Sequence, residues 1–262
     1  MALSTADLAT LTDLVQHAAD NVADIVKLTD THAGLTVAEG YEIQDELIRR
    51  RVAAGDRIAG YKGGLTSKAK MEQMGVNVPA FGVLMNETLL VDGGAVDFTS
   101  LIHPKVEPEI AFVTSRELSG PDCTVTQVLA ATDFVMPAME IIDSRFRDFK
   151  FDLPSVIADN TSAARYVVGG APRKVDGLDL RLVGVVMERN GQLVGNAAGA
   201  AILGHPAAAV AALVHHLAAQ GKALPAGSLV GAGAATEAVM ANKGDHFSTR
   251  VQHLGTVTFR FT

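Results

Sequence analysis

An α+β fold, with a helical N-terminal portion at residues 1–78 leading into a β-rich domain at 79–262, is what this sequence predicts. Three observations carry that expectation. Apolar residues recur at spacings of three and four through residues 8–54, the period of a helix with one buried face. Beyond Pro79, short runs of Val, Ile, Phe and Leu alternate with Gly, Asn and Asp, the texture of strands and turns. Asn190-Gly191 then joins two such runs as a hairpin turn, because both residues tolerate positive φ.

The first helix places Leu8, Leu11, Leu14, Val15, Ala18, Val22 and Ile25 on its inner face, with Ser4 or Thr5 as N-cap. A second helix spans 37–54, with Tyr41, Ile43, Leu47, Ile48 and Val52 inward and Gly55 ending it. Arg49-Arg50-Arg51 falls in its last turns, where cations complement the macrodipole, so the triplet reads as a solvated helix end. A short strand at 58–62 opens into Gly63-Gly64, and a helix at 67–74 stops at Gly75. Strands follow at 89–91, 106–113, 138–142, 166–168, 180–189, 228–230 and 257–261, with helices near 125–132 and 206–220.

Composition narrows the function. The 262 residues are 48% hydrophobic and 19% charged, which suits a packed globular chain rather than a disordered one. Twenty-two Lys plus Arg against 29 Asp plus Glu leave a net charge of −7, so there is no field to gather nucleic-acid phosphates. The single Cys123 can form neither an intrachain disulfide nor a thiolate cluster, and reads as a small semi-buried hydrophobe. Residues 190–221 carry no formal charge, but His205-Pro206, Asn196 and His215-His216 interrupt them, which argues against a membrane span. No secretory signal is visible at the N-terminus. The expectation is a soluble, cytoplasmic protein without membrane or nucleic-acid partners.

The residues richest in chemistry are acidic. Glu107 and Glu109 stand two apart in Val106-Glu107-Pro108-Glu109-Ile110-Ala111, so a strand puts both carboxylates on one face. An exposed acidic edge strand fits this pair too, and Pro108 suits an edge. A third acid, Glu140, lies in the otherwise apolar run Val135-Met136-Pro137-Ala138-Met139-Glu140-Ile141-Ile142. A carboxylate desolvated there costs several kcal/mol unless paired. Three hard oxygen donors with neither Cys nor His nearby point to Mg²⁺ or Mn²⁺ rather than Zn²⁺. Lys62 ends a short apolar strand beside Gly63-Gly64, as an acid/base or anion anchor if buried, or a solvated strand-end lysine if not. The eight histidines form no metal-ligand spacing, and no nucleophile elbow occurs.

These motifs carry a resemblance. Gly64-Leu65-Thr66-Ser67-Lys68-Ala69-Lys70-Met71, Val106-Glu107-Pro108-Glu109, Glu140-Ile141-Ile142-Asp143-Ser144-Arg145 and Ala158-Asp159-Asn160 together resemble the fumarylacetoacetate hydrolase superfamily, over nearly the whole chain. More narrowly, they are similar to its hydratase/decarboxylase branch, which serves the meta-cleavage route of aromatic catabolism. The resemblance implies a mixed β-roll or barrel-like fold behind the N-terminal helices, with 79–262 as the catalytic domain. It implies a metal held by Glu107, Glu109 and Glu140, Lys62 as acid/base or substrate anchor, and Ser67, Lys70 and Ser162 as substrate contacts. The implied activity is metal-dependent decarboxylation of a six-carbon 2-oxo diacid. Hydration of 2-hydroxypentadienoate is the alternative, and a non-catalytic partner subunit of such a hydratase a further one. Hydratases of the branch tend to carry an acid in the loop that here reads Val78-Pro79-Ala80-Phe81-Gly82, and Ala80 therefore favours decarboxylation. The leaving carboxylate calls for a pocket poor in hydrogen bonds. Met71, Met74 and Phe81 are candidates to line it, unless they simply pack the core. The resemblance also implies a homo-oligomer able to associate with the pathway hydratase.

Overall fold

The structure, a computed structural model, describes residues 3–67, 71–72 and 75–262. Its N-terminal part packs three helices, α1 (Thr5–Asp20), α2 (Leu28–Thr31) and α3 (Val37–Ala53). Ser4 caps α1 by accepting a hydrogen bond from the Asp7 amide. Thr36 and Glu39 close a reciprocal capping box on α3, satisfying two otherwise orphaned donors. Leu11, Val15, Leu28 and Ile43 form a small core with Phe146 and Ala158. The inner face is narrower than the spacing predicts. Leu14, Val22 and Val52 are exposed; α1 has ended before Val22, which turns out of it at φ 50°. The arginine triplet is a surface feature, pairing with Glu46, Asp13 and Asp56.

Among the described residues the strands form two sheets, one of eight and one of five. The larger contains β1 (Ile58–Gly64), β2 (Ala80–Met85), β3 (Leu89–Leu90), β5 (Lys105–Thr114), β6 (Thr132–Ile142), β7 (Ala163–Val168), β10 (Leu229–Gly231) and β11 (Val239–Met240). Its order is β2-β1-β10-β5-β6-β7-β3, with β11 pairing β5. The smaller sheet runs β4 (Gly94–Val96), β13 (Gly255–Phe261), β12 (His246–Val251), β8 (Gly184–Arg189) and β9 (Gln192–Ala198). Parallel pairs β1–β10, β3–β7 and β4–β13 among antiparallel ones make both sheets mixed, as the resemblance implied. Asn190 and Gly191 do turn β8 into β9, at φ 53° and 75°.

Alternation along the strands decides what each face does. Met139 and Ile141 of β6 point into a core shared with Phe247, Phe259 and Phe261 of the smaller sheet. Ile110 and Phe112 of β5 meet α4 (Pro206–Ala219), whose Val210, Leu213, Val214 and Leu217 are buried in the principal core. Only the helical part of the uncharged stretch considered above as a membrane span packs a face into this core. The intervening positions of β5 and β6 carry the acids on the opposite face.

One expectation and one alternative fail here for reasons of pairing. Residues 80–82 are not a loop: Ala80 opens β2, which pairs antiparallel with β1 from Gly64↔Ala80 onward. Strand β5 is not an edge, since β6 lies on one side and β10 and β11 on the other. Pro108 is tolerated because β10 reaches only Ala111 and β11 begins at Val106. Between them Pro108 uses only its carbonyl, which accepts the Ala235 amide at 2.9 Å.

Candidate metal centre

Glu107 and Glu109 lie on one face of β5, and the register sets Glu140 of β6 directly opposite Glu107. Facing residues on neighbouring strands share a side of the sheet, so three carboxylates converge. One oxygen from each lies within 4.8 Å of the others, and all three residues are buried. The surrounding floor is small, with Ala111, Ala138 and Gly231 leaving room for the acids. Gly231 is required: a Cβ there would sit 2.5 Å from Glu109 Oε2.

Lys62 joins from three strands away. At about 4.8 Å per strand, a flat sheet would hold β1 and β6 about 14 Å apart, farther than the two side chains together reach. Yet Lys62 Nζ lies 3.0 Å from Glu140 Oε2, so the sheet is curled around the site. Lys62 is only 2% exposed and also donates to the Thr161 carbonyl at 3.1 Å. The alternative of a solvated strand-end lysine is therefore excluded.

Thr161 belongs to an unusual turn. Asn160, Thr161 and Ser162 all adopt left-handed backbone, with φ of 49°, 51° and 59°, a conformation that costs a non-glycine residue about 1–2 kcal/mol. The turn is held on both sides. Asn160 Oδ1 accepts the Val83 amide and its Nδ2 donates to the Val83 carbonyl, at 2.8 and 2.9 Å. Asp159 forms a buried ion pair with Arg145, whose guanidinium also donates to the Asp143 and Asp159 carbonyls. Burial pushes the Asp159 carboxyl up to about 6 against the pull of Arg145. Asp143 in turn accepts the Ile102 and His103 amides ahead of β5. The Glu140–Arg145 and Ala158–Asn160 motifs are thus one candidate metal ligand plus the scaffold that shapes the cleft beside it.

Electrostatics at the acids favour a cation. Burial, then the adjacent Glu140 charge, push the Glu109 carboxyl well above the usual carboxylate range. Tyr166 of β7 donates to Glu109 Oε2 at 2.9 Å, while Glu109 Oε1 accepts no hydrogen bond among the described residues. An orphaned buried carboxylate oxygen within a cluster of oxygen donors fits a hard divalent ion.

The centre opens into a cavity of ≈ 950 Å³. Lys62, Ser67, Glu107 and Ser162 line it. Ala80 lines it as well, presenting a methyl group and no acid. Lys70 and Met74 lie outside the described residues. Phe81 does not reach the cavity: neighbouring β2 positions face opposite sides, and its ring packs in the principal core against His216. Met71 is likewise not among the lining residues. Their expected place is taken by Phe149 and Phe151, alongside Ile142, Val156 and the cations Lys27, Lys105 and Lys150. Lys105 Nζ rests 3.8 Å from the centroid of the Phe149 ring. Tyr166 and the Thr161 carbonyl were not anticipated; the one available signal was a phenol opening the run Tyr166-Val167-Val168.

This fold and this acid cluster define a class, and the chain belongs to it: residues 57–262 match the fumarylacetoacetate (FAA) hydrolase C-terminal family. Among curated proteins, it is 50% identical over 251 residues to a 4-oxalocrotonate decarboxylase of Pseudomonas sp. (strain CF600), covering 96% of this chain and 95% of that one. It is 39% identical over 240 residues to a 2-hydroxyhexa-2,4-dienoate hydratase of Comamonas testosteroni, covering 91% of each. Among solved structures, 4-oxalocrotonate decarboxylase from Pseudomonas putida G7, complexed with magnesium and adipate, superposes with a TM-score of 0.97 at 46% identity, covering 99% of both chains.

Proposed function

We propose that the chain is a divalent-cation-dependent carboxy-lyase that converts 2-oxo-3-hexenedioate (4-oxalocrotonate) to 2-hydroxypenta-2,4-dienoate and CO₂ in meta-cleavage aromatic catabolism. The observation that carries the reading is the buried Glu107–Glu109–Glu140 cluster with Lys62 at 3.0 Å from Glu140, at the wall of a cavity that admits a small diacid. The kinship to decarboxylases at 50% identity supports the same choice.

The substrate is a vinylogous β-keto acid. The bond between C5 and the distal carboxylate breaks, and its electron pair passes through the conjugated chain to the 2-oxo oxygen. One proton completes the dienol. Glu107, Glu109 and Glu140 would hold Mg²⁺, or Mn²⁺, which supplies Lewis-acid polarisation of the 2-oxo acid end. Lys62 is placed to hold or deliver a proton at the developing enolate oxygen, oriented by Glu140 and the Thr161 carbonyl. Ser67 and Ser162 contribute polar contacts to the bound acid, and Lys70 is assigned as an anion partner. Phe149 and Phe151 add apolar surface, but Lys27, Lys105 and Lys150 line the same cavity, so this is not the hydrogen-bond-poor wall expected around the departing carboxylate. Ala80 supports decarboxylation over hydration, since no carboxylate stands there to place a water.

The same reading makes the protein a cytoplasmic homo-oligomer able to associate with the hydratase that consumes its product. Exposed Leu182 and Leu193 offer apolar surface for such contacts. Incubation with Mg²⁺ and 2-oxohexenedioate should release CO₂ and build the dienol absorbance. Water addition to 2-hydroxypentadienoate without CO₂ release would instead make it a hydratase. Metal binding with turnover of neither would leave a partner subunit.

A further inference from the structure

One oxygen of the Glu109 carboxylate is already engaged by a buried hydroxyl. Its Oε2 accepts the Tyr166 hydroxyl at 2.9 Å, and its Oε1 accepts no hydrogen bond among the described residues. Neither partner has room to swing. Tyr166 is fully buried among Leu84, Ala111, Ala138 and Leu229. The backbone of Gly231 closes over the hydrogen bond, where even a methyl group would fall 2.5 Å from Glu109 Oε2 and 2.6 Å from the phenol oxygen. Tyr166 is itself fixed by its register opposite Glu140.

From this geometry we infer that Tyr166 sets the site's discrimination between small and large divalent cations. The inference rests on the metal-centre reading above and deepens it. Ca²⁺ takes about 6–8 oxygens and accepts carboxylates through one oxygen or both, whereas Mg²⁺ demands near-octahedral single-oxygen ligands at about 2.0–2.1 Å. A carboxylate tethered through one oxygen serves the second requirement and withholds the chelating mode from the first. Outer partners of this kind commonly change metal affinity by about 10–100-fold when removed. Tyr166 is thus a positioning residue, acting through Glu109 without touching substrate.

The test is calorimetric titration of the full chain with MgCl₂ and with CaCl₂, for the wild type and Tyr166→Phe, which keeps the ring and removes only the hydroxyl. In the variant, Mg²⁺ affinity should fall at least tenfold and Ca²⁺ affinity clearly less, so that the Ca²⁺-to-Mg²⁺ ratio shifts about tenfold toward Ca²⁺. A purely structural role would weaken both ions alike, and an unchanged ratio overturns the inference while leaving the metal centre intact. Wild-type protein that binds neither ion overturns both. A second measurement needs no variant. In wild-type crystals loaded with either cation, Glu109 should bind through Oε1 with Tyr166 still on Oε2, and chelation through both oxygens refutes the tether.

Discussion

Glu107 of β5 stands directly across the ladder from Glu140 of β6, two buried carboxylates in a pairing that opposes folding. Like charges facing each other across strands destabilise by roughly 0.2–1 kcal/mol even at ordinary exposure. A protein that keeps such a pair at the floor of a cleft is arranged for the ligand that relieves it. Glu107→Gln should therefore unfold no more easily than the wild type in chelator, while losing the stabilisation that Mg²⁺ confers. For the wild type, cation at a hundred times its Kd adds about 2.7 kcal/mol. Thermal melts with and without Mg²⁺ read both effects, and a variant that still gains stability from Mg²⁺ would remove Glu107 from the ligand set.

Lys62 is held from two sides, by Glu140 and by the Thr161 carbonyl, and has no solvent to relax into. Replacing it with Met preserves bulk and removes the ammonium. Turnover should drop by about 100-fold or more, the usual range for a positioned acid/base group. Cation affinity should hold or rise, since a positive charge beside Glu140 is gone. Steady-state kinetics paired with calorimetry separate the two quantities. An unchanged kcat would exclude Lys62 from the reaction.

Close approach at Gly82 is equally testable. Its register partner is Lys62, and a Cβ there would lie 2.4 Å from Thr161 Oγ1 and 2.7 Å from the Asn160 carbonyl. Gly82→Ala must push the left-handed turn aside. The expected cost is about 1–3 kcal/mol of stability, as for an overpacked core, with a lower kcat and little change in cation affinity. If kcat is retained, the turn does not orient Lys62.

Much of this was legible in the residues. Glu107, Glu109 and Glu140 announce themselves because charge inside apolar strand runs is expensive, and i, i+2 spacing states which side chains share a face. Ser4 and Asn190-Gly191 mark their cap and turn through local chemistry that needs no distant partner. What escaped was pairing across long intervals. Nothing local says that Lys62 faces Gly231 or that Glu107 faces Glu140, and the burial of Lys62 follows only from that register. Phe81 was misplaced for the same cause. Read as a loop residue it could turn toward the cleft, but once Ala80 begins a strand, alternation sends Phe81 to the other side. The identity of the chemistry came from motifs in combination, since three acids and a lysine alone fit many cation sites.

Asp159 provides a test in pH. Burial raises its carboxyl from 3.8 to about 6, although Arg145 beside it pulls the other way. A carboxyl with a raised folded-state value favours folding when protonated. That contribution is complete below the unfolded value near 3.8 and disappears as pH climbs through about 6. The shift of about two pH units corresponds to at most about 3 kcal/mol. Asn in its place retains the shape and cannot titrate. The stability of the wild type relative to Asp159→Asn should therefore decline between pH 4 and pH 7 and level off above. Urea unfolding at each pH measures it, and parallel curves for the two proteins across that window would show that Asp159 stays ionised throughout, held by Arg145 more strongly than burial opposes.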